Sequence, residues 1–324
     1  MVEHAPGGRE PFSGVCAASQ VTRQAPPVRA SPQFLAFAAA PTDNHRVAAI
    51  AESAPAAAGS ADRLDPRVPH PARVYAYWLG GKDCYPADRR AAEEVIHRRP
   101  EVVAGARANR YFLARVVRFL AGECGVRQFL DIGTGLPALD NTHEVAQRVA
   151  PDCRVVYCDN DPVVLAYARA LLTSAPPGNC DYVDADLRDT RTILTQATRT
   201  LDFARPVAVL LLLAVLHFVP FSENPAAIVG ALAGGLPPGS YVAISHLTAD
   251  YAPEQVSAAA AYNSLAPVPV TPRSHPQVSA LFGGLPLVAP GVVRVSEWRA
   301  DPGGPFPPPA DLYGGLARVC GGRS

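Results

Sequence analysis

Residues 207–213 are apolar at all seven positions, and no other part of the chain limits its fold so strongly. Valine and leucine suit a strand, and a run with no polar neighbour leaves neither face for water. Such a strand belongs in the middle of a parallel sheet covered on both sides by helices. The flanking sequence agrees. Short β-rich runs at 126–132, 154–159, 181–183, 207–213 and 241–245 alternate with amphipathic spacers at 142–150, 162–173, 190–200 and 225–233. Each spacer is long enough for a crossover helix, and repeated βα units of this kind give an α/β, Rossmann-like doubly wound sheet.

After the fifth run the pattern predicts helices at 253–265 and 277–282 and closing antiparallel strands at 292–298 and 312–319. Ahead of the first run, a helix is expected at 87–98, with Asp88 near its start. A second is expected at 109–122, where Phe112, Val116, Phe119 and Leu120 recur at helical spacing. Pro66, Pro69 and Pro71 imply an extended approach to an aromatic segment at 74–79. Residues 1–64 mix Ala, Pro, Ser and scattered charge with no period of 2 or 3.6, which predicts a disordered leader. The expected organisation is thus a leader at 1–64, an N-terminal helical cap or lid at 65–124 and the sheet domain at 125–324.

With 29 Lys and Arg against 29 Asp and Glu, the chain lacks the net charge that draws basic proteins to nucleic acid or anionic membranes. The longest apolar stretch, 206–216, falls well short of the roughly 20 residues needed to span a bilayer. No secretory signal pattern opens the chain, so a cytoplasmic protein is expected. The seven cysteines form no Cys-x-x-Cys pair, and no metal site is expected.

Ligands of a doubly wound sheet bind beyond the carboxyl ends of its strands. The first run ends Asp131-Ile132-Gly133-Thr134-Gly135-Leu136-Pro137. Gly133 and Gly135, with Thr134 between them, allow a tight turn and close approach of a ligand to bare backbone. Asp131 can brace that turn or bond the ligand itself. The second run ends on Asp159, followed by Asn160, where the hydroxyls of a ribose need an acceptor pair. The third ends Asp184-Ala185-Asp186-Leu187, offering a carboxylate to an exocyclic amine such as that of adenine. Each feature alone has an ordinary reading, the glycines as a tight turn and Asp186 as a helix cap. Their order at three successive strand ends points to a nucleoside ligand.

The stretch 133–138 also satisfies the dinucleotide pattern Gly-x-Gly-x-x-Ala, so an NAD(P)-dependent oxidoreductase must be weighed. A pyrophosphate seeks free N–H groups at the helix start. Pro137 has none, and Asp131 is a poor neighbour for phosphate but a good one for a sulfonium or an ammonium. The balance favours S-adenosylmethionine.

The order Asp131-Ile132-Gly133-Thr134-Gly135, then Asp159, then Asp184-Ala185-Asp186 resembles the class I S-adenosylmethionine-dependent methyltransferases. More narrowly, Pro71-Ala72-Arg73-Val74-Tyr75, Leu79-Gly80-Gly81-Lys82-Asp83, Ala106-Arg107-Ala108-Asn109-Arg110, Asp159-Asn160-Asp161-Pro162, Leu216-His217-Phe218 and Trp298-Arg299 are similar to an S-adenosyl methyltransferase family found mainly in actinomycetes. The resemblance runs from about residue 66 to 319. It implies a seven-stranded sheet with one antiparallel strand and S-adenosylmethionine as cofactor, and it names no acceptor. Ala76 and Cys84-Tyr85 depart from the family pattern, which has an Asp and Asn-Phe there.

Methyl transfer requires alignment of donor and acceptor, exclusion of water and, for some acceptors, removal of a proton. His217, past the fourth strand, and His246, at the end of the fifth, are the candidate bases; the alternative is that each only shapes the pocket. Tyr75, Tyr77, Lys82 and Asp83 are candidate lid or substrate residues, or else an aromatic anchor. Arg107, with Arg110 beside it, is a candidate for binding a carboxylate. The expected partner is a small-molecule acceptor, with a cofactor-binding regulatory protein as the alternative to an enzyme.

Overall fold

A computed structural model of the chain describes Met1 and residues 65–138, 140–212, 215–301 and 310–321. The leader expected at 1–64 therefore lies outside the described residues apart from Met1, and so do Leu213 and Ala214.

Among the described residues three helices come first: α1 (Pro71–Trp78), α2 (Pro86–Arg98) and α3 (Val102–Gly122). The βα units follow as β1 (Gln128–Ile132), α4 (Thr142–Val149), β2 (Arg154–Asp159), α5 (Pro162–Leu171), β3 (Asn179–Asp184), α6 (Thr190–Ala197) and β4 (Ala208–Leu211). After two short 3-10 turns come α7 (Pro225–Gly234), β5 (Tyr241–Leu247), α8 (Glu254–Asn263), α9 (His275–Ala280), β6 (Val293–Arg294) and β7 (Leu312–Arg318). All seven strands form one sheet in the order β3-β2-β1-β4-β5-β7-β6. The first five pair in parallel. β7 runs antiparallel to both β5 and β6, so it alone is reversed.

Burial explains the order. β1 and β4 are buried at every position and sit side by side in the middle of the sheet. One face packs on α3, α4 and Trp298, the other on α6, α7 and α9. α1 and α2 do not reach the sheet's core; Val74, Ala91, Ala92 and Val95 cluster instead with Ala258 and Tyr262 of α8.

Four elements depart from the sequence expectation. Pro71 opens α1 rather than extending the chain, because proline's fixed φ suits the first helical position and the His70 ring accepts from the Ala72 N–H as its cap. α3 starts seven residues before the expected Asn109, since Ala and Gly at 104–108 pack closely without showing a large apolar period. The fourth strand ends at Leu211, and the Leu212 carbonyl is instead bonded by Asn109 and Ser245 side chains. β6 holds only two residues, because Trp298 turns into the core between Phe112 and Phe119. Among the described residues no helix is long and apolar enough to cross a membrane, and no cluster of His, Cys, Asp or Glu is placed to hold a metal ion.

Candidate active site

The turn after β1 depends on both glycines, whose φ values are +71° at Gly133 and +68° at Gly135. Their surroundings differ. A Cβ on Gly133 would lie 2.5 Å from Val215 Cβ, whereas a Cβ on Gly135 would meet nothing within 4 Å. Gly133 allows close packing within the protein, and Gly135 faces open space. Thr134 closes the turn internally, its hydroxyl donating to the Asp131 carbonyl at 3.0 Å.

Asp131 is 1% exposed. Its Oδ2 accepts from the Thr142 hydroxyl, while Oδ1 is buried with no hydrogen-bond partner. Burial pushes its pKa up to about 6, against the lowering effects of Thr142 and of the Arg110 charge. Asp159 is also buried. Its Oδ2 accepts from the Gly135 N–H and its Oδ1 from the Asp161 N–H, each at 3.0 Å, and burial raises its carboxyl above the ordinary range despite these bonds. At the next strand end the exposed Asn160 bonds Asp186 at 3.0 Å, and Asp186 closes a turn onto the Arg188 N–H. Asp184 is exposed, Ala185 donates its N–H to the Asp159 carbonyl, and Leu187 is buried in the core below. The three strand ends therefore form one acidic corner.

A cavity of about 90 Å³ opens beyond β4 and β5, between the sheet and the N-terminal helices. Its walls are largely apolar, from Val74, Trp78, Val102, Phe218, Ala258, Ala259 and Leu312, with Tyr75, His217 and Gln255 among the polar contributors. Glu101 and Asp311 also line it, and Arg99 pairs with both, at 3.3 and 2.6 Å. The 3-10 turn Val215–Phe218 links this cavity to the acidic corner: Val215 faces Gly133, and His217 and Phe218 line the cavity.

His217 lies within this apolar wall, 4% exposed. Burial, then the neighbouring His246 and Arg273, hold its pKa well below the ordinary imidazole range. Its ring accepts from the Leu247 N–H, with the nitrogens at 3.2 and 3.4 Å. A neutral ring has one acceptor and one donor nitrogen, and the Leu247 N–H, within reach of both, engages whichever carries the lone pair. His246 is fully buried and does not line the cavity. Its Nε2 accepts from Arg273 at 2.7 Å and its Nδ1 donates to the Leu247 carbonyl at 2.8 Å. Burial brings its pKa down to about 3. Arg273 also donates to the Leu216 and Val219 carbonyls, which fixes the turn that carries His217.

Of the lid candidates, Tyr75 lines the cavity, its hydroxyl donating to the Ala106 carbonyl, with burial pushing its pKa up to about 12. Tyr77 bonds Glu93 on the outer surface, Lys82 is exposed, and Asp83 meets Tyr167 of α5. Arg107 is exposed on α3, whereas the charge of Arg110 is felt at both Asp131 and Tyr75. Arg73, Asn109, Asp161 and Arg273 were not expected as site residues. Arg73, Asn109 and Asp161 lie in segments that carry the family resemblance, and Arg273 lies in none.

A family model described as S-adenosyl methyltransferase matches residues 57–320. The crystal structure of a DUF574 family protein from Streptomyces avermitilis MA-4680 is 43% identical, covers 78% of this chain and 98% of its own, and superposes with a TM-score of 0.74. A protein of Thermobifida fusca YX, described provisionally as a methyltransferase, is 39% identical, covers 82% of this chain and 100% of its own, and gives a TM-score of 0.73. No curated protein matches the chain.

Proposed function

The chain belongs to the S-adenosyl methyltransferase family and uses S-adenosylmethionine as methyl donor, and from that premise we propose that it methylates a small, uncharged, largely apolar acceptor held in the cavity beyond β4 and β5. The observation that carries this reading is the shared 3-10 turn, which touches the glycine turn through Val215 and the cavity through His217 and Phe218. Donor and acceptor seats built on two sides of one short turn adjoin each other.

The residues present suit the cofactor. Asp131 Oδ1, buried and unpartnered, would hold the ammonium of the methionine portion, and Arg110 its carboxylate. Gly135, open at its Cα, would let the ligand approach the backbone. Asp159 and Asn160 would hold the ribose, and Asp184 to Asp186, above the buried Leu187, the adenine. Bound S-adenosylmethionine supplies a sulfonium methyl open to in-line displacement. The protein contributes alignment and dryness: α1 and α2, in the cap at 65–124, cover the cavity and keep water from the reacting atoms. His217 donates to the acceptor and orients it. Arg99 holds Asp311 closely and the more exposed Glu101 more loosely, which leaves one net negative charge at that edge of the cavity, on its solvent side. Balanced charge and the absence of a membrane-spanning helix among the described residues support a cytoplasmic enzyme without nucleic-acid or lipid partners.

The test is formation of S-adenosylhomocysteine from S-adenosylmethionine across a panel of uncharged phenols, aryl amines and alicyclic alcohols, beside charged peptides and oligonucleotides. Turnover confined to the uncharged set is expected. Turnover with the charged set alone would overturn the reading.

A further inference from the structure

Arg73 sits on α1, 3% exposed, with its guanidinium shared between carboxylates from distant parts of the fold. Its Nε donates to Asp88 Oδ2 and its Nη1 to Asp161 Oδ2, both at 2.9 Å, while Nη2 donates to the Val68 carbonyl at 3.1 Å. Asp88, fully buried, also accepts from the His70 and Tyr85 N–H groups at 2.8 Å each, joining the starts of α1 and α2. Asp161, 2% exposed, caps α5 through the Val163 N–H and donates its own N–H to Asp159. Asp159 in turn holds the Gly135 N–H. An unbroken series of hydrogen bonds therefore runs from the cap helices through Arg73, Asp161 and Asp159 into the glycine turn.

Simple attachment of the cap needs no such arrangement. α1 and α2 already bury an apolar cluster against α8, and a buried ion pair is seldom a better fastener than apolar side chains of the same volume. Charge and geometry here serve register. Although burial raises Asp161, the nearby His70 and Arg73 and the Val163 N–H outweigh it and keep the carboxyl below its ordinary range. That shift favours the carboxylate, and at 2.9 Å the Arg73 to Asp161 contact is an ion pair.

We propose that Arg73 is a positioning residue for the cofactor, coupling the docking of α1 and α2 to the Asp159 corner so that cofactor binding and cap closure reinforce each other. The proposal rests on the reading that Asp159 meets the ribose. Coupling of this kind is reciprocal: whatever the docked cap adds to cofactor affinity, bound cofactor adds to cap docking.

The experiment combines calorimetric titration of S-adenosylhomocysteine with amide hydrogen exchange of residues 71–98, with and without that ligand. It uses the full chain, Arg73→Met, Arg73→Lys and Arg115→Met. Arg115 is a buried arginine of α3 that bonds the Val295 and Trp298 carbonyls, outside the site, and controls for lost stability. Arg73→Met is expected to lose about tenfold in affinity and the ligand-induced protection of 71–98. Arg73→Lys should lie between it and the wild type, and Arg115→Met should keep both properties while folded. Wild-type affinity and protection in folded Arg73→Met would overturn the proposal, as would equal losses in Arg115→Met. If Arg73→Met does not fold, full affinity and protection in Arg73→Lys would overturn it. A wild type that binds no ligand would refute the assignment of the cofactor site itself.

Discussion

Asp131 and His246 are both buried polar residues at the carboxyl ends of strands in one sheet, yet one has bonding capacity left over and the other has none. Asp131 leaves Oδ1 unpartnered. His246 has one nitrogen against Arg273 and the other against the Leu247 carbonyl. Buried polar groups in folded proteins are mostly satisfied; among the described atoms that are not, such as Trp298 Nε1 and Arg273 Nε, Asp131 Oδ1 is the carboxylate oxygen, and it stands beside the glycine turn. The residue type does not distinguish the two regions. What distinguishes Asp131 from His246 is whether the protein has already used that side chain's hydrogen bonds.

The sharpest way to break this comparison is at the glycine turn, where the same substitution should act differently two residues apart. Gly133→Ala drives a Cβ into Val215 at a positive φ and is expected to cost about 2 to 4 kcal/mol in urea unfolding. Gly135→Ala carries only the backbone strain, about 1 kcal/mol, but should lose cofactor affinity out of proportion to stability, because its Cβ enters the open side. Equal stability losses with equal affinities would mean that neither glycine faces a ligand.

The histidine region should respond in stability first. Arg273→Met removes one bond each from His246 Nε2 and the Leu216 and Val219 carbonyls, and a loss of about 3 kcal/mol is expected from denaturant titration. His217→Ala should be milder, raising the acceptor KM about tenfold for one lost hydrogen bond while leaving cofactor affinity unchanged. Since His217 stays neutral well below the ordinary imidazole range, its removal should leave no missing limb in the rate profile between pH 6 and 7. A limb there that vanishes in His217→Ala would restore the proton-accepting role that its position at a strand end suggests.

The strand ends were legible because everything that defines them is contiguous: the apolar run at 207–213 marked the central strand, and Asp131, Asp159 and Asp184 each close a β-rich run. The S-adenosyl methyltransferase resemblance rested on the same contiguous motifs and extends to the matched family. What sequence spacing does not carry is partnership across the fold. Arg273 lies 27 residues beyond His246 and Asp161 lies 88 beyond Arg73, and neither separation has a period that would mark the pair. For that reason the sequence left open whether His246 acts as a base or only shapes the pocket, and it gave Arg73 no partner. The early start of α3 was hidden likewise, since alanine and glycine reveal close packing only once their neighbours are in place.

The central claim is that Asp131 completes its hydrogen bonds with the cationic end of the cofactor, and its pH dependence has a fixed sign. In the free protein the carboxyl titrates at about 6, above the unfolded value of about 3.9, so the stability of its neutral form is present at low pH and lost as pH rises towards 6. A bound ammonium favours the carboxylate and shifts the balance the other way. Calorimetry of S-adenosylhomocysteine binding across pH 5 to 8, in buffers of differing ionisation enthalpy, should show affinity rising through about pH 6 with proton release on binding below it. In Asp131→Asn, with its fold verified, affinity should fall by about tenfold or more and the proton release should disappear. Wild-type affinity in Asp131→Asn, or the same proton release, would contradict the account.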